Sequence, residues 1–152
     1  MRLWSALWVL PALLTGCGSA GTVSLSVQMS DESLAVTDAS FGSELSGSFQ
    51  LRLELGSEAP GSTHVSYGNF EVQTEAGEVL TDLRDATMTP ALPIDLNKGE
   101  SKQVLFSLSG ISIDRDKACP GPLRIVGSVM DTLKGGTDPV RSGLITPDCG
   151  SR

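Results

Sequence analysis

This 152-residue chain is short of the residues on which catalysis and nucleic-acid binding depend. It has one histidine, His64, and three cysteines, Cys17, Cys119 and Cys149, none of which form a CxxC pair. Zinc cages and dithiol redox sites need such clusters, so neither is expected. There is no Gly-x-Ser-x-Gly turn to expose a nucleophile and no second histidine to serve one, so a serine-hydrolase role is not expected. His64, beside the strand that begins at Val65, reads as a solvated edge residue. Glycine-rich phosphate cradles and dinucleotide fingerprints are missing too. Bases are scarce: 11 Lys and Arg stand against 18 Asp and Glu, a net charge of −7. Nucleic-acid phosphates demand clustered Lys and Arg, so that class of partner is excluded. The expectation is a protein that is not an enzyme and carries no cofactor.

Long apolar runs are lacking as well. Leu3 to Leu14 is apolar apart from Ser5, holds Pro11 in its second half and follows Met1-Arg2. A helix that crosses the hydrocarbon core needs about 20 apolar residues, and this run stops well short. A charged start and a short apolar run are instead the n-region and h-region of a secretory signal. The run closes on Leu14-Thr15-Gly16-Cys17.

Those four residues resemble the lipobox of bacterial lipoproteins. The resemblance implies a signal peptide over residues 1–16, cleavage before Cys17, and a diacylglycerol thioether with further palmitate-type chains on Cys17. It implies attachment to the membrane through an N-terminal lipid, in the bacterial cell envelope. Gly18 and Ser19 follow Cys17, so the flank lacks the aspartate that resembles an inner-membrane retention signal in enterobacterial lipoproteins. The outer membrane is therefore favoured over the inner.

Behind the signal, residues 17–21 form a lipidated linker and residues 22–150 the size of one ordinary domain. Its charge is uneven: residues 31–100 hold thirteen acids and three bases, residues 101–152 five acids and seven bases. A dipolar surface could orient the domain or attract a basic partner, but simple solubility is the favoured reading.

Apolar residues recur at every second position. Val23, Leu25, Val27 and Met29 alternate with polar neighbours, as do Phe49, Leu51, Leu53 and Leu55. The pattern returns at Val65 and Tyr67, then Phe70 and Val72 after a break at Gly68-Asn69, then Val104, Phe106 and Leu108, then Leu123, Ile125, Gly127 and Val129. This is strand periodicity, and it places Phe49, Leu51, Leu53, Val104, Phe106, Leu108, Ile125 and Val129 inward and Gln50, Arg52 and Glu54 outward. Gly56–Gly61, Glu75–Glu78, Asn97–Glu100 and Lys134–Pro139 separate the runs with turn-forming residues. No stretch carries a helical stripe. Short strands joined by such turns predict an all-β, antiparallel β-sandwich.

The arrangement resembles an immunoglobulin-like sandwich of the kind found in bacterial lipoprotein domains, with Leu96–Ser101 as turn and Lys102–Leu108 as the strand behind it. It departs from the antibody pattern, because Trp4 and Trp8 both fall in the signal. With Cys17 assigned to lipid, Cys119 and Cys149 remain, and export makes a structural disulfide between them the natural outcome. If the last two strands pair around Lys134 to Thr137, the cysteines lie opposite each other at the open end of that hairpin.

Two weak metal readings remain. Asp114 and Asp116 offer two carboxylates in a loop, the beginning of a calcium site that Lys117–Pro120 does not extend. Met29, Met88 and Met130 with His64 suit copper chemically but are scattered, so core packing is expected for them. The functional expectation is a lipid-anchored interaction or structural module that presents sheet edges or loops to an envelope protein. The alternative is a binding protein for calcium or a small ligand.

Overall fold

A computed structural model describes residues 24–150. The residues before and after, which include the signal, Cys17, the whole linker and Val23, lie outside it. The chain forms nine strands and one helical turn: β1 (Leu25–Ala39), β2 (Gly42–Leu55), β3 (Thr63–Thr74), β4 (Val79–Asp82), β5 (Thr87–Thr89), β6 (Ile94–Leu96), β7 (Ser101–Ile113), α1 (Arg115–Ala118), β8 (Leu123–Asp131) and β9 (Gly136–Arg141). One sheet has the order β1-β2-β7-β5, the other β4-β3-β8-β9, with β6 also on β3. All these named pairs are antiparallel. The two orders are those of an immunoglobulin-like sandwich, A-B-E-D facing C′-C-F-G.

The alternation puts its apolar residues where the sequence places them. Phe49, Leu51, Leu53, Val104, Phe106, Leu108, Ile125 and Val129 are all buried. Arg52 and Glu54 face water, and Gln50 is half-buried. At the centre Phe49 stacks on Phe106 with ring centroids 4.5 Å apart, Phe70 tilts against both, and Tyr67 meets Phe106 edge-on. Such pairs add about 0.5–1.5 kcal/mol each beyond area burial. Phe70 lies directly over Gly127, where a Cβ would sit 2.3 Å from the ring, so only glycine admits this packing.

Three bulges reshape the strands. In β1 the register shifts between Ser30 and Ser33, with Asp31 at φ 54°, and the core-facing positions change from Leu25, Val27 and Met29 to Leu34 and Val36. Gly47 of β2 passes close by: a Cβ there would lie 2.0 Å from the Ser33 carbonyl oxygen. In β7 the core positions change from Leu108 to Ile111 across Gly110, and in β3 from Tyr67 to Phe70. An extra residue reverses every side chain after it. The first strand therefore runs ten residues past Met29, to Ala39, and β7 runs past Leu108 to Ile113.

Several expectations need correction. Leu25, Val27 and Met29 are only half-buried, since β1 is an edge strand. The last turn is shorter than expected: Gly136 to Pro139 already belong to β9, because the Asp131 carbonyl and carboxylate close the turn by Gly135. Met130 is not a core residue. It is 38% exposed, because it alternates with buried Val129 and Asp131 and so lies on the outer face of β8.

The final hairpin does end at a disulfide. Cys119 and Cys149 are bridged with Cα atoms 6.0 Å apart. Between β9 and Cys149, Ser142 and Ile145 bond to Ile125 and Leu123 of β8, and then Asp148 bonds to Leu34 and Val36 of β1. The tail thus leaves one sheet and joins the edge of the other.

Candidate functional site

Two ends of the sandwich gather the polar side chains. The proximal end holds the first described residue, Ser24, whose carbonyl accepts from Gly56 N, together with the turns after β2, β6 and β8. There Asp131, 5% exposed, accepts at Oδ1 from Lys134 N at 2.8 Å and from Thr63 Oγ1, while Thr132 N donates to Thr63 Oγ1 and His64 N to Thr132 Oγ1. Asn97 N donates to Glu100 at 2.8 Å. That bond, helped by Lys102, holds the Glu100 carboxyl below its ordinary pKa. These groups satisfy one another.

His64 sits at this end on β3, opposite Asp95 of β6, and its Nδ1 is 2.8 Å from Asp95 Oδ1. A carboxylate on Nδ1 orients an imidazole as it does in a triad. Here both side chains are well exposed, 50% and 80%, and lie on the outer face of the sheet rather than in a cleft. In that setting the pair is a surface contact of the kind worth about 0–1 kcal/mol. The solvated position expected of His64 is observed, but β3 lies between β6 and β8 there, so the residue is not on an edge strand.

The distal end joins the β1–β2 turn, the β3–β4 turn, α1 and the disulfide. Asp114 is the N-cap of α1 and its carboxylate accepts from Asp116 N at 3.1 Å. The two aspartates expected in a loop therefore belong to a helix start, one as cap and one in the first turn, because Asp-x-Asp suits the unpaired N–H groups there. Among the described residues no three His, Cys, Asp or Glu come together as a metal cage. Met29 and Met88 pack against the core while Met130 faces outward on β8, so the three sulfurs do not share one site.

No protein-family model, no curated protein and no solved structure matches this chain.

Two distal residues carry features that the sequence reading missed. Arg115 is nearly buried, 11% exposed at its side chain, and its guanidinium donates to the carbonyls of Val36, Cys149 and Gly150 and to Asp38 Oδ1 at 3.1 Å. It clamps the tail to β1 beside the disulfide. Phe41 sits in the two-residue turn between Ala39 and Gly42 and is wholly exposed, at 104%. An aromatic among Ser40 and Gly42 was the available signal for Phe41. Arg115, between two acids, gave none. Cys17 lies outside the described residues, and among those described no helix is long and apolar enough to cross a membrane.

Proposed function

We propose that this protein is a lipid-anchored bacterial envelope lipoprotein whose sandwich is a non-catalytic interaction module. The observation that carries the reading is the place of Cys17: it closes Leu14-Thr15-Gly16-Cys17, and only six residues separate it from Ser24, the first described residue. Two or three acyl chains on that cysteine anchor a domain stably where one is marginal. A structural disulfide suits the oxidising side of the membrane. The polar clusters described at the two ends of the sandwich bond among themselves or to backbone rather than converge on a cleft, which favours a scaffold over an enzyme.

The test is metabolic labelling with palmitate in wild type and Cys17→Ser. Label is expected in the wild type alone, with the variant uncleaved or soluble, and detergent rather than salt should release the wild type from membranes. A Cys17→Ser protein that still takes up label overturns the reading. A thermal scan of the domain with Ca²⁺, Cu²⁺ and Zn²⁺ addresses the alternative, because a ligand bound to the native state alone raises the melting temperature.

A further inference from the structure

We infer that the distal end is a docking surface for a partner protein bearing an apolar pocket ringed by Lys and Arg, with Phe41 as the side chain inserted. The orientation rests on the anchored-module reading; the surface chemistry does not. Phe41 contributes nothing to the fold, being wholly exposed, although the strands on either side of its turn are paired. The Ala39–Gly42 pair closes its turn, and β2 is paired with β7 as far as Ser43 opposite Ile113. An aromatic side chain has only two torsions to fix on binding, and aromatic residues are enriched at the cores of interfaces.

Charge selects the partner. Asp38, Glu44, Asp114 and Asp116 line the two shallow clefts that flank the turn. The one base among them, Arg115, is buried and turned onto carbonyls and Asp38. An acidic rim around an apolar tip complements a basic rim around an apolar pocket, and it repels an anionic lipid surface. Position agrees with this. The fifteen residues of β1 carry the chain from Ser24 to the opposite end, about 50 Å at strand rise, so the tip points away from an anchor at Cys17.

The test uses the full lipidated protein in its native envelope, with a diazirine amino acid in place of Ser40 and mass-spectrometric sequencing of the crosslinked segment. The expected result is a protein adduct at an apolar segment flanked by Lys or Arg. Its yield should fall at least about tenfold in Phe41→Ala, and several-fold in Glu44→Lys or in high salt. An adduct indifferent to Phe41→Ala, the absence of a protein adduct, or Phe41-dependent binding of phosphatidylglycerol vesicles would overturn the inference. The same probe at Met130, on the outer face of β8, separates the two readings: adducts there and none at Ser40 sink the docking surface and leave the anchored module standing.

Discussion

At the proximal end, Thr63, Thr132, Asp131 and Lys134 close the sandwich with hydrogen bonds between β3 and the β8–β9 turn. At the distal end closure comes from a disulfide and a buried guanidinium, which tie the tail and α1 to β1. The difference has a consequence for exposed surface. Turns that bond to each other must keep the residues that make those bonds, whereas a corner fixed by a crosslink leaves the neighbouring β1–β2 turn free of that duty. That turn is where an apolar ring is left in water. The two ends are thus closed by different means, and Phe41 at the distal one stays wholly exposed.

The largest perturbation strikes both ends at once. Phe106→Ala removes the ring on which Phe49 and Phe70 pack and should cost about 3–5 kcal/mol in denaturant unfolding. Hydrogen exchange should then quicken at both ends, since they share that core; loosening confined to one end would break the comparison. Replacing Cys119 and Cys149 together by Ser should cost about 3–4 kcal/mol, the chain-entropy value for a loop of this size. Here the exchange of Val36 and Asp148 amides should rise while those of Thr132 and Lys134 hold. Asp131→Ala is the converse. It strips the Lys134 amide and Thr63 of their buried acceptor, and a melt should show a loss of about 1–3 kcal/mol, with exchange changed at the proximal turns alone.

Smaller effects follow from charge. The folded pKa of Glu100 is lowered by the Asn97 amide and by Lys102, so its contribution is present above the ordinary glutamate value and fades as pH falls through the lowered one. Lys134 at the proximal end and Lys117 at the distal end are raised by Asp138 and Glu78, so their contributions are present below the ordinary lysine value and fade as pH climbs through the raised ones. NMR titration of wild type against Glu100→Gln and Glu78→Gln should remove one acidic and one basic limb, each small because these pairs are exposed. The smallest effect is the most telling. Phe41→Ser should change stability by less than about 0.5 kcal/mol, where a buried phenylalanine costs several, and a large loss would mean that the ring packs on the domain after all.

Legibility in the sequence followed the bulges. Residues 49–55, 104–108 and 123–129 form straight strand segments, so period-two alternation identified both the strands and their buried faces. Past Met29 and past Leu108 an extra residue reverses the alternation, and the pattern no longer reads as one strand although the ladder continues. The same event in β3 was readable because strong apolar pairs, Val65 with Tyr67 and Phe70 with Val72, stand on both sides of it. β4, β5 and β6 are three or four residues long, too short for a period to register.

By itself the sequence determined the central strands and most of the turns between them, because alternation and turn chemistry act between near neighbours; the pairing of Cys119 with Cys149 followed only from reading Cys17 as the lipid site. Only the tertiary structure decided that Asp114 caps a helix, that Arg115 holds the tail against β1, and that Phe41 remains in water. Arg115 reaches Val36 and Asp38 across 79 and 77 residues of chain. A contact of that span leaves no local pattern, and a side chain is exposed or buried only by what the rest of the chain brings to it.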